Sequence, residues 1–454
     1  MGRRVARGVL PVVVLLASAS AAVGATTPAP DLPDPVDLGG TRVEVSTNPQ
    51  EPTPLTAGLW ADTLSGPGAP PANAHWFSYR RTMQYSSVLV GVTATSSADS
   101  DSLDVTVFDP QGTVCTQDST SSNSSIPASA FGVLASVPPD DLGATEDPCV
   151  SADHLDVRVT RGSSTAEGDL PIALRVVEEA PVRGTEEDLP PIIEAPTVSA
   201  PDPTAPSPVD GATSSFDDAP DLEPGATVSD AVPEGGEHLY RVRLDWGQAL
   251  AVQVDLPAQD EATVEALVGD TPDVDLTLFD PLRNSFDTGH DLAVTDESFG
   301  EEAVSLFDGT RPVTYLNRFD DGLVSVPGDY WVSVSVAPPY DPAREPVEVP
   351  IEVTVDVTGE VGEAPSFPEA VLSGNGERGP DGYARTTPYL VDVGDFRAEV
   401  SGTPDVADER ATGSEGDETD VRRTAGLALG AASLLSILAG ALLLRRRVSR
   451  PAAR

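Results

Sequence analysis

Lysine is absent from this chain; all 27 of its basic side chains are arginine. Lysine codons are A-rich, so this absence, with the Ala/Pro/Asp/Val bias, points to a GC-rich bacterial genome. Positive charge of any kind is scarce beside 73 acids, and a net −46 repels nucleic acid and anionic polymers while attracting cations. Nucleic-acid binding is excluded on that ground. Histidine is limited to His75, His154, His238 and His290, and cysteine to Cys115 and Cys149. A two-cysteine metal site lacks a partner set of histidines, so an exported cysteine pair reads as a disulfide. Closing that loop stabilises by about 3–4 kcal/mol in the chain-entropy model. No G-x-S-x-G, H-E-x-x-H or nucleotide-binding glycine pattern occurs, and in so acidic a chain a pair of carboxylates carries no signal. The expectation is a protein that is not an enzyme.

What is present begins with the two ends. Residues 1–25, MGRRVARGVLPVVVLLASASAAVGA, have a basic start, an apolar run from Val9 to Ala17 and small residues up to Ala25. This is the pattern of a secretory signal peptide, the Arg3–Arg4 pair lacking the rest of a twin-arginine signal. Residues 425–444 carry no charge, and as a helix would be ~30 Å long, enough to cross a bilayer core. Arg445, Arg446, Arg447, Arg450 and Arg454 follow, so the positive-inside bias puts the tail, 445–454, in the cytoplasm. The expected protein is single-pass and membrane-anchored, with its bulk outside the cell. That exterior carries all 73 acids but only 19 of the 27 arginines, a net −54. Gly426 and Gly430 form a G-x-x-x-G step, a candidate surface for helix packing.

Between the ends the chain repeats itself. SLDVTVFDP at 102–110 returns as DVDLTLFDP at 273–281, and the flanking pieces recur in the same order. HWFSYRR (75–81) matches HLYRVRL (238–244), HLDVRVT (154–160) matches DYWVSVS (329–335), and LPIALRVV (170–177) matches VPIEVTVDV (349–357). Apolar residues alternate with period two, as in Val88, Val90 and Val92 or Ile351, Val353 and Val355. That period predicts half-buried antiparallel strands, with one face on a core and the other in water. The prediction is all-β: two tandem sandwiches over 41–179 and 221–359, each FDP closing a core strand with a turn. A Pro-rich acidic linker, 180–220, is expected as an extended semi-rigid spacer, and 360–423 as an acidic disordered stalk.

The order LYRVRLDWGQALAVQV, DVDLTLFDP, GDYWVSVSV resembles the bacterial pre-peptidase C-terminal domain, a jelly-roll-like sandwich appended to secreted enzymes. The double module ending LPIALRVVEEAP is similar to the membrane-anchored ends of actinobacterial secreted proteins in which a von Willebrand factor type A domain can precede the sandwiches. Here domain one starts almost at once, and DSTSS (118–122) only approaches the D-x-S-x-S metal motif. The resemblance implies a non-catalytic extracytoplasmic module and does not imply its partner.

Two candidate sites remain. Asp99, Asp101 and Asp104 cluster at the mouth of a strand, where oxygens on a turn suit calcium; the competing reading is a solvated acidic loop. His75 and His238 occupy equivalent repeat positions, which argues for a shared structural role. Two functions are expected: display of the sandwiches to bind a protein or cell-envelope ligand, or an accessory or sensor subunit docking through its helix.

Overall fold

The computed structural model describes residues 32–365, some loop stretches aside, together with 389–390. The signal segment, the 425–444 helix with Gly426 and Gly430, and the basic tail lie outside the described residues. Among the described residues no helix is long and apolar enough to cross a membrane.

The fold is all-β. In the first unit the strands are β1 (Thr41–Arg42), β2 (Thr53–Leu55), β3 (Gly58–Leu64), β4 (Ala74–Arg80), β5 (Ser87–Thr95), β6 (Ser102–Phe108), β7 (Val114–Ser121), β8 (Ala130–Val137), β9 (His154–Arg161) and β10 (Leu170–Glu179). They form two sheets, β1-β3-β10-β5-β8 and β2-β4-β9-β6-β7. The second unit has β11 (Ser207–Pro208), β12 (Thr227–Pro233), β13 (Glu237–Leu244), β14 (Ala249–Leu256), β15 (Asp273–Phe279), β16 (Asp296–Ser298), β17 (Val304–Gly309), β18 (Gly328–Val336) and β19 (Glu348–Thr358). Its sheets are β11-β12-β19-β14-β17 and β13-β18-β15-β16. Apart from β2, which has no counterpart strand, the order is the same in both units, so the sequence repeat is a repeat of topology.

Each unit has its own core between its two sheets. Val88, Val90 and Val92 meet Leu103, Val105, Val157 and Leu174 in the first; Val252, Val254, Leu276, Val332 and Val353 meet in the second. The alternating residues that face inward are those the period predicts. The other face departs from expectation: all nine positions of β5 and of β18 are buried, not every second one. The reason is that the sandwiches dock on each other. The outer face of the β13-β18-β15 sheet lies against the outer face of the β10-β5-β8 sheet, where Leu239, Phe279 and Trp331 join Ala130 and Ala173 in a third apolar cluster.

The linker takes part in that joint instead of holding the units apart. Phe216 and Ala219 are buried in the same cluster, with Val36 and Leu38 from the segment before β1. Leu189 enters the second core, and Ser207–Pro208 pairs in parallel with Val228–Ser229. In the stalk, Tyr389–Leu390 pairs antiparallel with Glu178–Glu179, so that stretch returns to the first sandwich.

Candidate ligand groove at the junction of the sandwiches

The turn that ends the repeated phrase builds the junction. In both copies the Asp carboxylate caps its own turn: Asp109 accepts from Gln111 N at 2.8 Å and Thr113 N at 2.7 Å, Asp280 from Leu282 N at 2.8 Å and Asn284 N at 2.9 Å. The first turn is solvated, whereas the second inserts into the first sandwich. It enters where β5 and β8 have no side chain: a Cβ on Gly91 would stand 2.1 Å from the Leu282 carbonyl, and one on Gly132 2.1 Å from that of Arg283. Arg175 Nη1 donates to the Pro281 carbonyl at 2.6 Å, and Thr93 Oγ1 to that of Arg283 at 2.9 Å. Arg318 closes the far end with a buried ion pair to Glu179 and lies over the Tyr315 ring.

Beside this joint runs a groove of about 1070 Å³. Its walls are β7, the outer edge of β8, the end of the 280–286 turn and residues 317–319 of the second sandwich. Hydroxyl and amide side chains dominate, among them Thr116, Gln117, Thr120, Asn284 and Asn317, while Phe319 stands exposed at the rim. The disulfide forms its outer lip: Cys115 on β7 is bonded to Cys149 in the short helix Pro148–Ser151, with Cα atoms 5.6 Å apart. Domain two has no such bond. Cys115→Ala/Cys149→Ala should therefore lower the unfolding temperature of the first sandwich alone, for a loss of about 3–4 kcal/mol. Differential scanning calorimetry would read this, and an unchanged first transition would show that the bond adds nothing.

Two buried carboxyls sit in the joint. Glu237 accepts from Ala130 N at 2.7 Å and meets Ser333 Oγ at 2.5 Å; burial pushes it up to about 7. Burial also pushes Asp280 up to about 7, against its turn amides and Arg175. Both are raised above the unfolded value, so their contribution is fully present below about pH 4 and is lost as pH rises through about 7. Shifts of this size correspond to roughly 3–4 kcal/mol per group. Thermal unfolding should show the docked pair losing stability between about pH 4 and pH 7 and levelling off above it, and Glu237→Gln should flatten part of that slope. A native profile that rises with pH in that window would contradict the assignment.

Two of the three candidate calcium ligands lie among the described residues. Asp101 is buried in a two-pronged pair with Arg161, at 2.7 and 3.0 Å, and accepts from Ser96 Oγ at 2.8 Å. Asp104 lies 3.7 Å from Arg158, and Asp99 is outside the described residues. Among the described residues no group of three or more His, Cys, Asp or Glu side chains is placed to hold a metal. The equivalent histidines do the same job in both units. Each bridges two sheets: His75 Nδ1 lies 2.6 Å from Asp62, and His238 Nδ1 lies 2.9 Å from Asp230, which also accepts from Tyr240. His154 is exposed at the start of β9, and His290 is outside the described residues. Sequence reasoning missed Arg283, Arg318, Glu179 and Glu237, the residues that make the joint.

No family model matches the chain, and no curated protein matches it. Among solved structures, it is similar to an arabinose-bound α-L-arabinofuranosidase at 15% identity and a TM-score of 0.17, over 25% of this chain and only 18% of that enzyme. It is similar to the glycosylasparaginase PNGase F from Flavobacterium meningosepticum at 8% identity, covering 70% of this chain and 100% of that one, with a TM-score of 0.19. The ANX1 ectodomain from Arabidopsis thaliana matches at 8% identity and a TM-score of 0.17, over 69% of this chain and 92% of its own. Likenesses of this size carry no argument about activity.

Proposed function

We propose that this chain is a non-catalytic cell-surface protein that presents a docked pair of β-sandwiches and holds a protein or cell-envelope ligand in the groove between them. Export through the 1–25 segment, an anchor at 425–444 and a 360–423 stalk carry the pair outside the membrane. The sandwiches are jelly-roll-like and similar to pre-peptidase C-terminal domains, in an actinobacterial setting. The observation that carries the binding role is that the groove exists only because the two units dock. Its ionisable groups are also tied into the fold, Asp280 to its turn amides, Asp118 to Ser119 N, Asp147 to Cys149 N and Arg318 to Glu179. That leaves hydroxyls, amides and an aromatic rim, which suit recognition better than proton transfer.

A photoreactive phenylalanine analogue at position 319, tested in intact cells, addresses this reading directly. Position 340 is the control, because Tyr340 is 91% exposed and does not line the groove. A discrete adduct from position 319 and none from position 340 is the expected result. No adduct, or the same adducts from both, would remove the groove from consideration.

A further inference from the structure

We infer that the ligand of the groove is an extended polypeptide segment, which pairs with the open edge of β8 as an added strand. This rests on the groove being the binding surface and names what the surface recognises. Strand β8 ends its sheet, paired on one side with β5, from Val88↔Val137 to Thr95↔Ala130. On its free side Ala130 N donates to Glu237, and Gly132 N donates to Ser285 Oγ, whose hydroxyl returns a bond to the Gly132 carbonyl at 3.0 Å. Ser285 thus does for Gly132 what a residue of a neighbouring strand would do, giving and taking one hydrogen bond.

An antiparallel ladder alternates, so the next main-chain groups aimed at this side belong to Leu134 and Ser136. There the second sandwich stops imitating a strand. Both residues line the groove, and the backbone groups of neither have a partner among the described residues on that side. Ser136 Oγ is likewise buried without a partner. An unpaired edge is ordinarily protected by charge, proline or a covering element. Among the described residues, this half of the strand carries no charge or proline and has no covering element, while the first half is covered. An open sheet edge lining a groove is the geometry by which strands are captured through main-chain bonds.

The charge of the occupant follows from the surroundings. Asp118 and Asp147 line the groove, the only arginine in its lining is paired with Glu179, and the exterior is strongly acidic. A segment bearing lysine or arginine is favoured, and an acidic one is repelled.

The test uses the full-length chain in detergent micelles and an immobilised panel of 12-residue peptides of random sequence without proline. Peptides of net positive charge should be retained, and N-methylation of alternate amides in a retained peptide should weaken binding at least tenfold. Ser136→Pro removes one outward donor and no ladder bond, a change that edge strands tolerate. It should weaken the same peptides at least tenfold, while Ser136→Ala leaves them bound. Undiminished binding to Ser136→Pro and by N-methylated peptides overturns the proposal, as does an empty panel. If Ser136→Pro disturbs the fold, the N-methylated peptides decide alone. An empty panel beside a persistent cross-link from position 319 would keep the groove and discard the strand; loss of both discards the two readings together.

Discussion

Replacing Arg283 by glycine should uncouple the two sandwiches while leaving each of them folded. Arg283 occupies the turn position that Gly112 fills in the first copy, and it keeps the left-handed backbone that suits glycine, φ 60° against 85°. A side chain at such a φ costs of order 1 kcal/mol, so the substitution relieves strain locally. What it removes is larger. The fully buried guanidinium lies 4.5 Å from the centre of the Phe216 ring and 5.6 Å from that of Trp331, pairs with Asp217 at 2.6 Å and donates to the Leu38 carbonyl at 2.5 Å. It therefore ties the linker and the segment before β1 to the inserted turn. Losing a desolvated cation–π contact, its hydrogen bonds and the packed volume should cost the joint about 3 kcal/mol net. Because the two cores are separate, calorimetry should then show the transitions of the two sandwiches moving further apart, and small-angle scattering should show a longer particle. Arg283→Ala should be worse than Arg283→Gly by roughly 1 kcal/mol, since it loses the same contacts and keeps the strain. A native-like thermogram in both variants would mean that the arginine is not what holds the joint.

That residue also marks where the sequence stops being legible. Period-two alternation places the inward faces of β5, β6, β15 and β19 because burial between sheets imposes it locally, and the repeat places equivalent strands side by side. Nothing local distinguishes the outer faces. Trp76 and Phe108 stack 5.5 Å apart on a half-exposed face of the first sandwich, while their counterparts Leu239 and Phe279 are fully buried. Equivalent apolar residues are surface in one copy and interface in the other, and only the position of the neighbouring unit decides which. The available signal lay in the differences between the copies: glycine on two adjacent strands, at Gly91 and Gly132, and arginine where the first turn has Gly112. The aspartate cluster meets the same limit. Asp101 belongs to a strand mouth locally, but its partner Arg161 comes 60 residues later, and spacing along the chain does not reveal that pairing.

The largest single loss within one sandwich is expected from Glu178→Ala. Its fully buried carboxylate gathers the turn between β4 and β5, accepting from Tyr79 Oη at 2.6 Å, Met83 N at 2.8 Å and Ser86 Oγ at 2.5 Å, as well as from the amide and hydroxyl of Thr82. Burial lowers Arg81 to about 10, and the Glu178 charge is the main influence opposing that fall. Truncation would leave several buried donors without an acceptor and a buried guanidinium without its counter-charge. Each orphaned group costs about 1–3 kcal/mol when it cannot reach water, and a charge left alone costs more. Allowing for relaxation of the turn, a loss of about 4 kcal/mol is expected, or roughly 10 °C in unfolding temperature for a unit of this size. Glu178→Gln keeps one acceptor but turns an amide towards groups that also donate, so it should lose about half as much. The second sandwich carries Val357 at this place and crosses from β13 to β14 by a shorter turn, with no such carboxylate, so its own transition should not move. A loss under about 1 kcal/mol for Glu178→Ala would mean that water replaces the carboxylate in the turn, and that the donors are not dry.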